Sequence, residues 1–549
     1  MTGGKFIRRT RFSKWFALIV SVHLATGMES IFAEDTERTP AIGKKFRLSS
    51  RAKDKKEEHS GPTEAREEHQ AHSEGDSLEL SDTVINFRDF GRDIPGRPRT
   101  LTEVIEDRIY PENVARSEML ANREPDDVET EVPERKSIFG KDRFLSPGPI
   151  DPGIKSPTGA TWRPSFLIFG NIRTAVQSYE APGGERTSEW ANRLDIFGNL
   201  SLNSTERFVF GFRPLDEEGD FTGVAYGRGV RDEGFVNGFD PEPHTFFFEG
   251  YLDELFPNFD PTDSRGIDIG YSLGRQPIIL QDGILANDNM DALGLTKHNM
   301  FLLGSSNARL SAYAGFNEIH RGDNIRDSRA RLFAINSQFD YPDMTIEADA
   351  AFVKGSSSLG GDGLYFGLGH IQQFGYWNSA LRLNTSIALD KRSSAISDGW
   401  LISHALARKM KHSDDVLTLS SFGEIDNYTS AARGPATGGP LGGISLLQRA
   451  VGIGSYGSPI EVADGDLLGF EISYQHFLDS EEKRQILISA GGAGTYDPIP
   501  GRDDFTAAIA LQYQHALSSN LVWSLGSFGS ITDDDEKGFG LRTELQRKF

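Results

Sequence analysis

Seven arginines and two carboxylates are the residues best suited to hold a ligand: Arg173, Arg193, Arg207, Arg213, Arg275, Arg382 and Arg542, with Glu347 and Asp349. A guanidinium offers a planar fork of donors that matches a carboxylate two bonds at a time, so a row of arginines is suited to an anionic solute. Asp195, Glu544, Asp268 and Glu471 stand among the arginines and partly offset them. Two readings stay open. The arginines select anions, or the charges are mixed simply to wet and cross-brace a polar interior; opposed charges would then orient a solute without strongly choosing its sign.

A second chemical candidate is Ser272, in the Gly270–Gly274 stretch "GYSLG", which has the form G-x-S-x-G. A nucleophile elbow needs a strand, a sharp turn and then a helix. Here the match lies within a strand-like segment followed by "RQPIIL", so the chain is not read as an enzyme, and a barrel enzyme using Ser272 is the weaker alternative. There is no P-loop, H-E-x-x-H or EF-hand pattern in the sequence. With zero cysteines no Cys-ligated metal is available, and no cofactor or metal site is expected. A net charge of -22 argues against sequence-independent nucleic-acid binding, which needs Lys and Arg against phosphate.

The elements that must carry these residues are strands. From Trp162 onward apolar residues alternate with polar ones. "FLIFGNIRTAV" places Phe166, Ile168, Ile172 and Val176 on one face, and "RLDIFGNLSLN" places Leu194, Ile196 and Leu200 opposite Arg193, Asp195 and Asn199. "GFGLRTELQRKF" ends the sequence in the same rhythm at Phe549. The segments are about as long as a tilted strand crossing a bilayer, and longer than a usual soluble strand. About eighteen can be counted, although 329–339 and 400–425 have no clear phase. By this phase Arg173, Arg193, Arg207, Arg213 and Arg542 point inward and sit on neighbouring strands once the sheet closes, with Arg382, Glu347 and Asp349 also inward.

Connections alternate long and short. Those expected at 178–191, 214–244 and 426–466 are long, while 203–205, 340–343, 374–376, 412–414 and 518–519 are tight. Two connections of the short parity, 256–265 and 298–308, are longer than that rhythm asks. The expected fold is therefore all-β: a closed antiparallel transmembrane β-barrel of about eighteen strands over 161–549. The length and glycines of 426–466 suggest a loop that folds back to narrow the pore.

The first 33 residues read as a signal peptide: Lys5, Arg8, Arg9, Arg11 and Lys14, then "WFALIVSVHLATG", then a cut after Ala33. Residues 34–160 are rich in charge of both signs, Pro and Ser, and are expected to form a disordered periplasmic segment.

The stretch 272–295, "SLGRQPIILQDGILANDNMDALGL", resembles the alginate-export family of bacterial outer-membrane β-barrel channels, through Gly274-Arg275-Gln276, Asp282-Gly283 and Asp291-Ala292-Leu293. The resemblance covers roughly 162–549. It implies passage of an anionic polysaccharide or smaller anionic solute through an electropositive pore, and insertion into outer-membrane lipid by machinery that reads the Phe549 strand. A general or nutrient-uptake porin and a surface adhesin are the alternatives. Arg275 shares parity with Ile267 to Leu273, so as a pore residue it must lie above the apolar band or be turned inward by a bulge.

Overall fold

Period-two sequence becomes wall when every second residue meets an apolar medium and the rest meet a polar lumen. The computed structural model describes residues 138–139 and 153–549, apart from 218, 228–232, 260–265, 267, 412, 434–445, 450, 461–464 and 497–504. All of these belong to the unit Gly96–Phe549. The expected signal peptide and most of the segment 34–160 lie outside the described residues.

Eighteen strands form the wall. They are β1 Ser165–Glu180, β2 Thr187–Ser201, β3 Arg207–Phe212, β4 Pro243–Tyr251, β5 Ile269–Leu280, β6 Ala286–Met300, β7 Asn307–Asn317, β8 Arg331–Asp340 and β9 Met344–Lys354. Then follow β10 Gly363–Phe374, β11 Trp377–Ala388, β12 Gly399–Lys409, β13 Val416–Asp426, β14 Leu467–Phe477, β15 Arg484–Thr495, β16 Phe505–Ser518, β17 Leu521–Thr532 and β18 Lys537–Lys548. Each pairs antiparallel with its neighbours, and β18 closes on β1 in a ladder running from Phe539↔Glu180 to Lys548↔Asn171. Closure leaves no sheet edge, the condition for a strand wall in lipid. Phe549 finishes the seam: its N–H and C=O both pair with Gly170 at 3.0 Å.

The outward face is apolar around the barrel. Ile168, Ile172 and Val176 on β1, Phe470 and Ile472 on β14, Ile509 and Leu511 on β16, and Leu541 and Leu545 on β18 are all exposed. A continuous band of this size exceeds the patches a soluble surface carries. Tyr513 packs edge-on to Trp523 near one rim. Trp377 stacks under Arg408 on the same rim.

The connections separate by end. Tight turns join β2–β3, β8–β9, β10–β11 and β16–β17, and in the first of these the Asn203 carboxamide accepts the Thr205 and Glu206 N–H groups. The connection expected at 178–191 contracts to 181–186, because the β1–β2 ladder continues to Tyr179↔Thr187 and Trp190 donates to Thr174 across it. Within 214–242 a further strand, Asp220–Tyr226, pairs with the outer half of β2 and extends the wall above the short β3. A small hairpin, Ile154–Lys155 with Thr161–Trp162, straddles the domain boundary expected at 161, and Phe139 bridges to Phe166.

The lumen is not open along its length. At the long-loop end, two apolar clusters sit inside the wall. One joins inward residues of β5, β6, β8, β9 and β10 to Leu285, Ile319, Ile396, Ala431 and Ala432. The other joins inward Leu401, Phe422, Leu467, Ala493 and Ala508 to Ile284, Tyr428, Leu447 and Ile460. Connections have folded into the barrel and built a core there.

Candidate functional site

Two inward-folded pieces shape what space remains. The first is the β5–β6 turn, where Gln281, Asp282 and Gly283 all hold positive φ (52°, 53° and 88°). Two successive non-glycine residues in the left-handed region are strained, and strain of this kind persists only where the surroundings over-determine it. The surroundings do so here. Buried Gln281 donates to Asp349 at 2.6 Å and accepts from Arg382 at 3.0 Å. Gly367 on β10 makes the room: a Cβ there would stand 2.6 Å from the Gln281 Cγ.

The second piece is the described part of the β13–β14 connection. Tyr428 and Ser430 donate their hydroxyls to the Ile284 carbonyl, and the Ala431 N–H donates to Leu285. Ala432–Arg433 then pairs parallel with Ala286–Asn287 of β6. Further on, the Leu447 N–H donates to Glu471 at 3.0 Å. Three successive carbonyls face β1 and β2: Val451 accepts from Arg173 (3.0 Å), Gly452 from Arg193 (2.8 Å) and Ile453 from Gln177 (2.9 Å). The back-folding expected of 426–466 is thus seen in its described residues. Two inward arginines and Gln177 hold the segment by its backbone.

Between this segment and the wall of β1, β2 and β15 to β18 lies a cavity of about 730 Å³. Its charged lining is Arg173, Arg193, Arg449, Arg542, Asp195, Asp282 and Glu544. A second, uncharged-polar space of about 330 Å³ lies against β12 to β16, lined by Thr418, Ser420, Ser473, Gln475 and Gln485 with Glu471 as its one charge. Leu487, Gln512 and Gln514 border both spaces, so a polar path leads from the arginines toward the tight-turn end.

The pairing is unequal. Arg173 (2.7 Å) and buried Arg542 share the one carboxylate of Glu544. Arg193 (3.1 Å) and Arg213 (3.0 Å) share the one carboxylate of Asp195. Each carboxylate therefore serves two guanidinium groups. Arg449 adds an exposed charge that makes no ion pair or hydrogen bond among the described residues. The opposite wall reverses the ratio: among the described residues Arg382 on β11 is the one cation paired with Glu347 (2.7 Å) and Asp282, with Asp349 beside them. Tyr456, on the inward segment, packs against Tyr179 and Phe528 under Arg542, and burial raises its phenol to about 12, against the lowering effect of that arginine.

Of the sequence-derived candidates, Arg173, Arg193, Arg213, Arg542, Arg382, Glu347 and Asp349 all face the lumen, but as two groups on two walls rather than one site. Arg207 also has inward parity, yet it lies at the tight-turn end, half exposed, paired with Glu249 and away from the cavity. Arg275 is corrected. It registers with Phe246 and Asp291 on the outward parity of Leu273 and Ile279, and it pairs with Asp291 and Glu318. No bulge turns it inward, because buried Gln276 and Ile278 keep the inward phase on either side of exposed Pro277. Ser272 lies mid-strand in β5 opposite Glu249 and Gly294, with no turn and helix after it. Sequence reasoning missed Arg449, Gln281 and Tyr456. None sits in a periodic segment, and their inward position is set by how the connections fold.

No family model matches the chain, and no curated protein matches it. Among solved structures the chain is similar to Pseudomonas aeruginosa OccK2 (OpdF) in complex with glucuronate, at 12% identity and a TM-score of 0.47, over 70% of this chain and 98% of that one. It is similar to a BenF-like porin from Pseudomonas fluorescens Pf-5, at 11% identity and a TM-score of 0.47, over 70% and 98%. It is also similar to Acinetobacter baumannii OccAB3, at 10% identity and a TM-score of 0.44, over 70% and 99%. Likeness at this level leaves the lumen of this chain to be read from its own residues.

Proposed function

We propose that the chain is an outer-membrane channel that passes small anionic solutes by diffusion, with its long-loop end outside the cell and its tight-turn end in the periplasm. The continuous outward apolar band and the closed wall support the membrane reading. The Phe549 strand that seals the barrel is the segment the insertion machinery would read. The observation that carries the solute class is the cavity: about 730 Å³, lined by four arginines against three carboxylates, with Arg449 making no ion pair among the described residues.

Size favours uptake of a small solute over export of an alginate-like polysaccharide. The cavity falls in the range of small-molecule sites, about 300–1,000 Å³, whereas a threading polymer needs a bore open along its length. The buried contacts of Tyr428, Leu447 and Ile460 close the long-loop half to such a bore. In the proposed passage a carboxylate enters beside Arg449. It exchanges water for guanidinium hydrogen bonds along the Arg193 and Arg173 wall, then moves past Gln512 and Gln514 into the neutral space beyond. Shared, partly satisfied arginines suit conduction, since binding must be strong enough to admit the solute and weak enough to release it.

The test is single-channel conductance of the full chain in planar bilayers, with small carboxylates and uronate oligomers on either side. A modest anion-preferring conductance, reduced reversibly by millimolar carboxylates and indifferent to long oligomers, is the expected result. A wide conductance without ion preference would point to a general porin. Block by long oligomers with no effect of monomers would restore polymer export.

A further inference from the structure

Outward-facing residues of β6 to β10 form two cross-strand rows. Leu293, Ala314, Phe333, Phe352 and Leu364 make one, and Leu295, Ala312, Ile335, Ala350 and Phe366 make the next. Alanines at Ala312, Ala314 and Ala350 leave a trough between the Leu and Phe/Ile ridges, an apolar groove of about 450 Å³ on the outside of the wall. Its upper end is charged. Arg331 and Lys354 lie directly opposite each other across β8 and β9, one step of the same parity beyond Phe333 and Phe352, roughly 7 Å along the strands.

Like charges directly opposite on a sheet repel. Among the described residues nothing relieves the pair. Lys354 is exposed and has no ion pair or hydrogen bond among the described residues. Arg331, also exposed, donates among the described residues only to the Phe316 and Ala330 carbonyls. The carboxylates in the neighbourhood are otherwise engaged. Glu318 pairs with Arg275 and Arg326, and Asp362 accepts the Gly355 N–H at 3.1 Å.

We propose that this groove is a binding site for a phosphorylated membrane lipid, with the phosphate bridging Arg331 and Lys354 and an acyl chain lying along the Ala312–Ala314–Ala350 trough. The proposal rests on the membrane reading of the barrel and not on what the lumen conducts. Its physical basis is charge complementarity. A repelling cation pair at the headgroup end of an apolar trough is stabilised by one anion, and a lipid brings the anion and the apolar body together. Each Lys or Arg near a membrane surface contributes enough for a several-fold preference for anionic lipid, so the pair predicts on the order of tenfold.

The experiment is native mass spectrometry of the full chain released from neutral detergent, with phosphatidylglycerol and phosphatidylcholine of matched acyl chains. The wild type is expected to retain one phosphatidylglycerol at about tenfold lower lipid concentration than phosphatidylcholine. Arg331→Gln combined with Lys354→Gln should abolish the preference. Ala312→Leu, which fills the trough and keeps both charges, should weaken retention of both lipids alike. Both residues are exposed, so heat-resistant migration of each variant will confirm a folded barrel. Equal retention of the two lipids by the wild type, or an undiminished preference in the double variant, would overturn the site. Conductance of the double variant should be unchanged, so failure here and failure of the channel reading are separable.

Discussion

The two walls of the lumen use the same residue types in opposite proportion. On β1, β2 and β18 and just past the end of β3, four arginines share two carboxylates, Glu544 and Asp195. On β9 to β11 with the β5–β6 turn, three carboxylates, Glu347, Asp349 and Asp282, surround Arg382 alone. The first wall borders the cavity, whose lining carries four arginines against three carboxylates. The second is packed against Gln281 and the inward turn, with Arg382 and Asp349 buried, Glu347 partly buried and Asp282 exposed. The lesson is that a charge in a lumen works as a brace or as a ligand contact according to what fills the space before it. Arg382 spends its donors on Gln281, Glu347 and Asp282, whereas Arg173 and Arg193 keep part of their forks toward the cavity and hold the inner segment only by carbonyls.

That contrast can be broken most severely at Arg382. Arg382→Ala leaves Glu347 and Asp282 without their cation, and removing one partner of a pair costs up to about 3–5 kcal/mol where the pair is buried, less where a carboxylate keeps water. The barrel should lose thermal stability in a heat-modifiability assay, with little change in ion preference in the molecules that fold. If the variant keeps its midpoint, the second wall is not a brace. Next is the inner segment. Leu447→Ala removes a fully buried side chain from the lumen cluster. A core truncation of this kind costs about 2–5 kcal/mol. Here the loss falls on a segment packed inside the lumen, so under the channel proposal conductance should rise and current noise increase. Unchanged conductance would show that the segment does not limit flow.

A gentler substitution sharpens the difference. Arg449→Glu touches no partner among the described residues, so stability should change by no more than about 0.5 kcal/mol. The anion-to-cation permeability ratio should nevertheless fall several-fold, because the substitution reverses an exposed charge at the cavity. Preserved anion preference would move selectivity away from Arg449. The smallest effect concerns neither wall. His320 donates to Asp288 at 3.0 Å. Burial disfavours its charge, but that carboxylate outweighs burial and raises the imidazole above its ordinary value. A raised folded value means the contribution is fully present below the ordinary imidazole range and is lost as pH climbs through the raised value. Limited proteolysis of the β7–β8 connection should therefore speed up slightly in mildly alkaline buffer, by the equivalent of about 1 kcal/mol or less. His320→Gln should remove the pH dependence. If it does not, the His320 pair is not the cause.

How much of this could be read beforehand follows from where period two applies. Arg173, Arg193, Arg213 and Arg542 were placed on the lumen side and on one wall because each sits in an alternating segment and closure brings β18 beside β1. The same parity put Arg275 on the outward side of the wall, and the structure keeps it there, against the motif that suggested a pore role. The expected length of the first long connection failed for a local reason: Ser178, Ser188 and Trp190 read as loop, but Ser178 and Ser188 pair across the ladder and Trp190 faces outward.

The sequence alone determined the wall: alternation sets which side each strand residue faces, and a closed sheet is the only arrangement in which so many such strands satisfy their backbone groups in lipid. Only the tertiary structure decided the lumen. Gln281, Arg449 and Tyr456 lie in aperiodic connections, whose conformation depends on inward contacts contributed from far along the chain, such as Tyr428 to Ile284 and Leu447 to Glu471. Whether an inward arginine braces or binds depends on the partner that meets it there, and strand periodicity contains no term for that.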